Sequence, residues 1–368
     1  MDSGQSSSEI KTLHSPDNTI IAAYQSVLRR KRGVGLCLLA LLAAATFISI
    51  QTGSLPLKTG EVFKALLTLN QEGRLGHVLW NIRLPRTAAA LLAGGGLGIA
   101  GAVMQNILKN PLASPFTIGV SQGAAFGAAF AIIILGAGEA HLAGNEAVTV
   151  NSPQLVVFSA FAGAILAVVF ILVLASLKNV TSEAVILAGV ALSAFFSAAT
   201  MLLQYFADDM QVAATVFWTF GDLGKAGWRE NMIMLFALLP AGFFFMAGRW
   251  NFNALSWGDD VAGSLGVRVR RLRVSAMILS ALVVAVTTSF LGIIGFVGLM
   301  APHLMRFAVG VDHRFLIPAS AGFGALLLLV SDIIARTILA PILLPVGIVT
   351  SFAGAPLFLY LLIKSRRA

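Results

Sequence analysis

The chain has little charge: only 11% of its 368 residues are Asp, Glu, Lys or Arg, whereas 58% are hydrophobic and the mean hydropathy is +0.88. Water-soluble proteins carry about 25% charged residues. So few charged groups cannot cover a water-facing surface, so a bilayer must surround most of the chain. A backbone in a bilayer forms helices or a closed barrel. Because the apolar runs are continuous and much longer than the roughly 10-residue strands of a barrel, the sequence predicts an all-α polytopic membrane protein.

Cysteine and catalytic motifs are also scarce. Cys37 is the only cysteine, which excludes an intrachain disulfide and a cysteine-based metal site. The sequence has no H-E-x-x-H, no G-x-S-x-G and no cluster of acidic residues. It has no G-x-x-x-x-G-K-[ST] either, since Gly224 and Lys225 are followed by Ala226. We therefore expect no enzyme activity, cofactor or metal in this chain. If transport is driven by ATP, the ATPase is a separate polypeptide.

Acidic residues are almost missing from the apolar runs. Glu183 and Asp332 both fall at predicted helix ends. Ion-coupled carriers place ionisable residues within the membrane. The shortage therefore argues against a proton- or sodium-coupled carrier and suits a pore lined by small neutral groups. Asp332 and Arg336 are spaced i, i+4, which predicts a local ion pair contributing under ~1 kcal/mol.

What the sequence does contain is a series of long windows without charge. A spanning helix needs about 20 mostly apolar residues. The seventh window is long and contains three glycines, so we expect it to hold one full helix and a shorter second one that ends near Val311. This gives about ten transmembrane helices, an even number that suits two cytoplasmic termini. The windows are 33–57, 87–108, 110–138, 147–177, 184–207, 231–248, 274–305, 315–331 and 337–363.

The positions of the basic residues predict the orientation. The net charge is +9, but the cations are scattered at predicted helix ends, which indicates membrane topology rather than nucleic-acid binding. Basic runs precede the first span (Arg29–Arg32) and follow the last (Lys364–Arg367), so the positive-inside rule places both termini in the cytoplasm. With this orientation, only a minority of the 25 Lys and Arg residues lie outside. Those predicted to lie outside are Lys58, Lys64, Arg74, Arg83, Arg86, Lys225, Arg229 and Arg336.

The chain divides into a tail and one transmembrane domain. Residues 1–32 are predicted to be a flexible cytoplasmic N-terminal tail, because the first part is polar and Ser-rich. Residues 33–368 form the transmembrane domain. Its longest internal cytoplasmic loop covers about 251–273, where glycines could break the chain into short helices. From the residues alone this loop is either an interfacial segment that reaches lipid head groups or a docking surface that transmits motion from an ATPase.

A glycine-rich stretch at 96–101 fits the pattern G-x-G-x-x-G. A dinucleotide site would need a preceding strand and a soluble βαβ unit, whereas this stretch lies in the middle of a predicted membrane helix. Gly94 and Gly98 also form a G-x-x-x-G pattern, which lets two helices approach closely. The stretch therefore predicts helix packing.

Several segments, in order over residues ~75–365, closely resemble the FecCD-type permeases of ABC importers for ferric siderophores, haem and vitamin B12. The match is far more extensive than a single short motif. The segments are RLPR (83–86), GAVMQNILKNPLASP (101–115), GVSQGAAFGA (119–128), LAGVALSAFFSA (187–198), LSWGDDVAGSLGVRVRRLR (255–273), GFVGLMAPHLMR (295–306), DHRFLIPASAGFGALLLLVSDIIAR (312–336) and LPVGIVTSFAGAPLFLYLL (344–362).

The resemblance implies a permease subunit, not an enzyme, in the cytoplasmic (inner) membrane. It implies a homodimer of two permease copies, or a dimer of two related permeases, together with two ATPase subunits that bind ATP and Mg and an extracytoplasmic substrate-binding protein. A ferric siderophore is the expected cargo, with haem and vitamin B12 as alternatives within the same class. Competing interpretations from other classes are an ion-coupled secondary carrier and a polytopic membrane enzyme.

The resemblance also implies roles for particular residues. Arg83, Arg86 and Arg336 match arginines that dock the binding protein in the vitamin B12 member, and the predicted topology places all three outside. Thr181 and Ser182 match the cytoplasmic gate. The ATPase-coupling residues are expected to be Asn253, Leu255, Gly258, Asp259, Asp260, Ser264, Leu265 and Gly266.

Overall fold

The structure is a computed structural model that describes residues 18–53, 60, 62, 65, 73–116, 118–137, 152–176 and 181–365. Helices make up most of this described part, and no strand is assigned within it, which confirms the all-α prediction. Numbered in chain order, the helices are α1 (Asn18–Gln51), α2 (Gly73–Ile107, with a π-helical turn at Val78–Arg83), α3 (Val120–Ile133), α4 (Pro153–Ser176), α5 (Ser182–Tyr205), α6 (Asp209–Thr219), α7 (Trp228–Ala247), α8 (Arg249–Ser256), α9 (Asp259–Ser264), α10 (Val269–Leu291), α11 (Val297–Val309), α12 (His313–Thr337) and α13 (Val346–Ser365).

Seven of these helices are long and apolar enough to cross a membrane, and α3, α11 and α13 add shorter apolar helices. This pattern confirms the prediction of a polytopic protein with about ten membrane helices. The predicted division of the seventh window is confirmed as well, since α10 ends at Leu291 and α11 begins at Val297. Gly292 ends α10 with φ +78°, a left-handed backbone conformation that favours glycine.

The first helix begins earlier than the sequence predicts. Helix α1 starts at Asn18, so residues 18–32 of the predicted tail are helical, while residues 1–17 lie outside the described part. The basic run Arg29–Arg32 belongs to the same helix. Arginine and lysine are good helix formers, so a polar extension of an apolar helix remains helical in the absence of glycine or proline.

Polar contacts distinguish the two ends of the molecule. At one end, here the inner end, Lys31 lies 4.9 Å from the centre of the Phe315 ring, and Lys109 pairs with Asp259 at 2.8 Å. At the opposite end, the outer end, Arg336 donates to a backbone carbonyl that directly follows α1. The charged residues at the inner end belong to segments predicted to lie inside, and Arg336 belongs to a segment predicted to lie outside. That the inner end faces the cytoplasm stays a prediction from the positive-inside rule.

Helix α2 occupies the centre of the bundle and packs against α7, α10, α11 and α12. Gly94 and Gly98 face α12, where a methyl group on either residue would collide with the backbone of Gly324 or Ser320. Gly101 meets the backbone of Gly298 in α11 in the same way. The glycine-rich stretch therefore brings helix backbones together, as the packing interpretation predicts.

Gly98→Ala is expected to destabilise the bundle. The new methyl group would meet the Ser320 carbonyl, which cannot move aside as a side chain would, and overpacking costs about 1–3 kcal/mol. Thermal unfolding of the purified protein in detergent would measure the effect. Gly242→Ala is the matched control, because no described atom lies within 4 Å of a methyl group built there. Equal unfolding temperatures for the two variants would contradict the packing role of Gly98.

Candidate functional site

Arg83, Arg86 and Arg336 lie together at the outer end, although they belong to two helices that are far apart in the sequence. All three are buried, with 4%, 7% and 8% of their surface exposed. Buried arginines need partners that satisfy their charge and their donors. The structure supplies these partners from within the chain.

A buried carboxylate joins two of the arginines. The Arg86 Nε donates to Asp332 Oδ1 at 2.8 Å, and Arg336 Nε lies 2.9 Å from Asp332 Oδ2. Asp332 is completely buried. The predicted i, i+4 pair of Asp332 and Arg336 therefore exists, but it is buried rather than exposed, and the fold brings Arg86 from α2 to the same carboxylate.

The same arginine reaches a second, more accessible carboxylate. Arg86 Nη2 lies 3.0 Å from Asp222 Oδ1, and the Asp222 side chain is 39% exposed. Asp222 stands in the connection between α6 and α7. Arg86 thus joins α2 and α12 to this outer connection.

The end of α1 provides the remaining partners. Arg83 Nη1 donates to the carbonyls of Ile50 and Gln51 at 2.9 and 2.7 Å. Arg336 donates to the Thr52 carbonyl at 2.7 Å and to Ser49 Oγ at 2.9 Å. The last carbonyls of a helix have no intrahelical partner and attract cations. Both arginines therefore complete the end of α1 and tie it to α2 and α12.

A lysine near this cluster holds the end of the short helix α6. Lys225 Nζ donates to the carbonyls of Trp218 and Phe220 at 3.0 and 2.8 Å, with Phe217 at 3.4 Å. Desolvation outweighs the attraction of Asp222 and lowers the pKa of Lys225 to about 8. The amine is therefore still mainly protonated at pH 7, and its charge lies at the negative end of the α6 dipole.

A cavity of about 830 Å³ opens beside this lysine at the outer end. Its wall is mostly apolar and aromatic, with Asp222 and Lys225 as its charged residues. It is formed by residues from α4, α6, α10, the segment before α13 and the start of α13, including Val156, Phe217, Trp218, Phe290, Leu344 and Ile348.

At the inner end, the loop 251–273 forms the two short helices α8 and α9 before α10 begins. Asn253 faces the protein rather than the surface. Its Nδ2 donates to Asp312 Oδ1 at 2.9 Å, and its Oδ1 accepts from the His313 backbone N at 2.8 Å. Burial alone would raise the pKa of Asp312, but hydrogen bonds from Arg314 and Asn253 lower it to about 2. Asn253 thereby fastens α8 to the start of α12.

Asp259 also makes contacts within the chain. It pairs with Lys109 at 2.8 Å and with Arg273 at 3.1 Å. Burial would raise the pKa of Asp259, but these two cations together hold it below its usual value. Leu255 of α8 is fully buried. These two predicted coupling residues therefore hold the loop against α2 and α10.

The other predicted coupling residues form the free surface of the loop. Asp260, Ser264 and Gly266 are exposed, and Leu265 exposes 67% of its surface. Gly258 and Gly266 adopt φ +120° and +82°, so glycine permits the turns on both sides of α9. The predicted set thus divides into a group that holds the loop to the bundle and an exposed group.

A cavity of about 900 Å³, with mostly polar or charged residues around it, lies between this loop and the inner ends of α2 and α12. Asn106 of α2 spans it by donating to Ser256 Oγ at 2.7 Å and to the Phe252 carbonyl at 3.3 Å. Arg306 of α11 donates to Gln105 at 3.1 Å. The ends of α2, α8, α11 and α12 are therefore joined by side-chain amides.

The predicted gate residues stand at the inner end of α5. Thr181 is the N-cap of α5, and its Oγ1 accepts from the Ala184 backbone N at 3.3 Å. Thr181 is exposed and Ser182 is half-buried. Residues 177–180, which complete the turn, lie outside the described residues.

Sequence reasoning missed several residues of these sites. Lys225 was noted only for its charge and as part of an incomplete phosphate-binding motif, and Asp222, Asn106 and Asp312 were not singled out. A local signal existed for Asp222, because an Asp two residues before a Gly is typical of a capped turn, and Gly224 N donates to Asp222 Oδ1 at 2.9 Å. No local signal shows that Asp222 meets Arg86.

Comparison with known families explains the architecture. Residues 41–364 match the model of the FecCD transport family. The chain belongs to this family. It is therefore a polytopic membrane permease of the ABC-importer class, and permease subunits of this class are not enzymes.

Curated relatives match along nearly their whole length. An ABC transporter permease protein of Methanocaldococcus jannaschii is 52% identical over 93% of this chain and 97% of its own length. The hemin transport system permease protein HmuU of Yersinia pestis is 34% identical over 89% and 95%. The vitamin B12 import system permease protein BtuC of Escherichia coli O9:H4 is 36% identical over 90% and 95%. This FecCD permease thus resembles relatives named for different cargoes.

Solved structures agree with the fold. An inward-facing metal-chelate-type ABC transporter has a TM-score of 0.75 and 30% identity, over 91% of this chain and 99% of that one. PsaBC from Streptococcus pneumoniae, at 18% identity and a TM-score of 0.54, shares the fold.

Proposed function

We propose that this FecCD permease translocates a ferric siderophore or a similar metal chelate across the cytoplasmic membrane, driven by ATP hydrolysis on a partner. The observation that carries the proposal is the end-to-end match to importer permeases, including a metal-chelate-type transporter. Haem and vitamin B12 are alternative cargoes, because relatives at similar identity are named for them. Asp332, the buried acid of the apolar helices, is bound by two arginines, which does not favour an ion-coupled carrier.

The proposed working unit contains a second copy of the permease. Only 17% of the most apolar part of α5 is buried within one chain, the smallest share among the seven long helices. Large side chains are exposed along it and just beyond it, including Phe195, Tyr205 and Phe206. We place the second copy against α5, with the translocation path between the two copies and the gate residues Thr181 and Ser182 at its inner end.

The proposed docking surface for an extracytoplasmic binding protein is the outer arginine cluster. The cluster contains three arginines, Arg83, Arg86 and Arg336, and the two carboxylates that Arg86 and Arg336 contact, Asp222 and Asp332, so it carries one net positive charge. Such a surface attracts acidic side chains, and its attraction weakens with salt. Because Asp222 is the exposed partner of Arg86, it is the one that a docking carboxylate would replace.

The proposed ATPase contact is the exposed group at the inner end. Leu265, Ser264, Asp260 and Gly266 present a mixed apolar and polar surface on α9 and the turn after it. Asn253, Leu255 and Asp259 hold that surface to the bundle. Two ATPase subunits, one for each permease copy, would supply ATP and Mg binding.

Reconstitution with the ATPase and binding protein encoded beside this chain tests the proposal. We expect ATP-dependent uptake of one cargo from a panel of labelled ferric siderophores, haem and cobalamin, with uptake lost when any component is omitted. Uptake of haem or cobalamin alone would replace the siderophore assignment. Uptake by the permease alone under an ion gradient would overturn the importer mechanism.

A further inference from the structure

We propose that Asp222, Gly224 and Lys225 are positioning residues that adjust the outer end of α6 according to what Arg86 binds. The inference rests on the proposed docking of a binding protein at Arg86. The sequence indicates no role in transport for the connection between α6 and α7, which contains these three residues. Three successive contacts link Arg86 to α6.

The first contact is the ion pair between Arg86 and Asp222. Arg86 has two carboxylate partners, and they differ in access. Asp332 is fully buried, whereas the Asp222 side chain is 39% exposed. An incoming carboxylate that binds Arg86 therefore displaces Asp222 first, because removing Asp332 would leave a buried charge unpaired.

The second contact makes the connection sensitive to that exchange. Asp222 Oδ1 forms an ion pair with Arg86 Nη2 at 3.0 Å and accepts a hydrogen bond from Gly224 N at 2.9 Å. Gly224 itself lies against the guanidinium, since a Cβ on it would be 2.6 Å from Arg86 Nη1. Any movement of Arg86 or Asp222 is thereby passed to the 3-10 turn Leu223–Lys225.

The third contact joins the turn to α6. Lys225 provides the cation for the last carbonyls of α6, at Trp218 and Phe220. Asp222 attracts the same ammonium group. Once Asp222 has lost Arg86, it has an unpaired negative charge that draws Lys225 away from these carbonyls. The end of α6 is then released.

The backbone around α6 allows this release to reach the rest of the bundle. Asp222 N donates to the Leu291 carbonyl at 2.8 Å, and Gly347 N donates to the Gly221 carbonyl at 3.2 Å. Phe220 also pairs with Ile293 in an isolated parallel bridge. The connection therefore touches the end of α10 and the start of α13, beside the outer cavity.

A probe on α6 tests the inference in the assembled permease–ATPase complex in nanodiscs. Cys37→Ser removes the only native cysteine, and Val216→Cys then carries a nitroxide on an exposed position of α6. We expect binding protein to increase the mobility of the probe. With Lys225→Met the probe should be mobile from the start and respond little, and binding-protein-stimulated uptake should fall about tenfold.

Further variants separate this role from loss of folding. Lys225→Arg keeps the cation and should restore most of the probe response and the uptake. Asp222→Asn and Gly224→Ala disturb the connection from the Arg86 side and should also abolish the response. Arg229→Met removes another exposed cation from the same end and should change neither readout.

The outcomes distinguish this inference from the proposed function. Binding-protein affinity should stay within twofold in Lys225→Met, because the docking residues are intact. Normal docking with an unchanged probe response in Lys225→Met would overturn the positioning role alone. Failure of the binding protein to dock on the unmodified complex would overturn the proposed function and the positioning role together.

Discussion

Asp332→Ala is expected to prevent the permease from accumulating in the membrane. The change leaves Arg86 and Arg336, both more than nine-tenths buried, without the carboxylate that they share. Removing one partner of a buried pair costs about 3–5 kcal/mol, and whole domains are stable by only about 5–15 kcal/mol. Membrane levels of the protein and the fraction that elutes as a folded species in detergent would measure the loss.

A charge-free version of the cluster is the informative control. Replacing Arg86 and Arg336 with Met and Asp332 with Leu removes the buried charges together, and apolar replacement of buried ion pairs is often neutral or stabilising. We expect this triple variant to accumulate better than Asp332→Ala, yet to lose salt-dependent docking of the binding protein. Docking at unmodified affinity in the triple variant would show that the arginines only hold the helices together.

Leu265→Asp and Asn253→Ala are expected to impair uptake in different ways. Leu265 is exposed on the proposed ATPase contact, so a carboxylate there should weaken co-purification of the ATPase. Asn253 lies within the chain and joins α8 to α12. Its loss should leave the ATPase bound but lower the uptake per ATP hydrolysed by about tenfold, because α8 can then move without α12.

The measurement is ATPase co-purification together with ATP hydrolysis and uptake in proteoliposomes. Val311→Asp is the control for a new charge at the inner end, since Val311 is an exposed apolar residue outside α8 and α9. If Leu265→Asp retains full coupling, the loop is only an interfacial segment. If the ATPase no longer co-purifies with the Asn253→Ala variant, Asn253 shapes the ATPase contact surface rather than coupling α8 to α12.

Much of the fold follows from local properties of the sequence. Hydrophobicity and length predict the spanning helices, and the glycines of the seventh window predict its division before Val297. Gly94 and Gly98 predict a close helix contact, because two residues without side chains on one helix face let another helix backbone approach. The early start of α1 was missed, since polar composition was interpreted as flexibility.

The candidate sites could be predicted from the sequence less fully than the helices, because the tertiary structure determines which side chains meet. The resemblance indicated three arginines and an ATPase loop, and the structure shows that the arginines meet at one end and that the loop forms two short helices. It also shows which loop residues hold the loop to the bundle, such as Asn253 and Asp259. Burial depends on neighbours from other helices, which a loop sequence does not contain.

The sequence by itself determined that this is an all-α membrane permease of one family, and it predicted that most of the basic residues lie on the cytoplasmic side. Composition, the length of the apolar runs and the order of the motifs can all be read directly from the amino-acid sequence. Only the tertiary structure decided that Arg86 binds Asp332, 246 positions away, and that Lys225 holds the end of α6. Such pairs arise from the packing of helices that are distant in sequence, and their energies come from burial that folding creates.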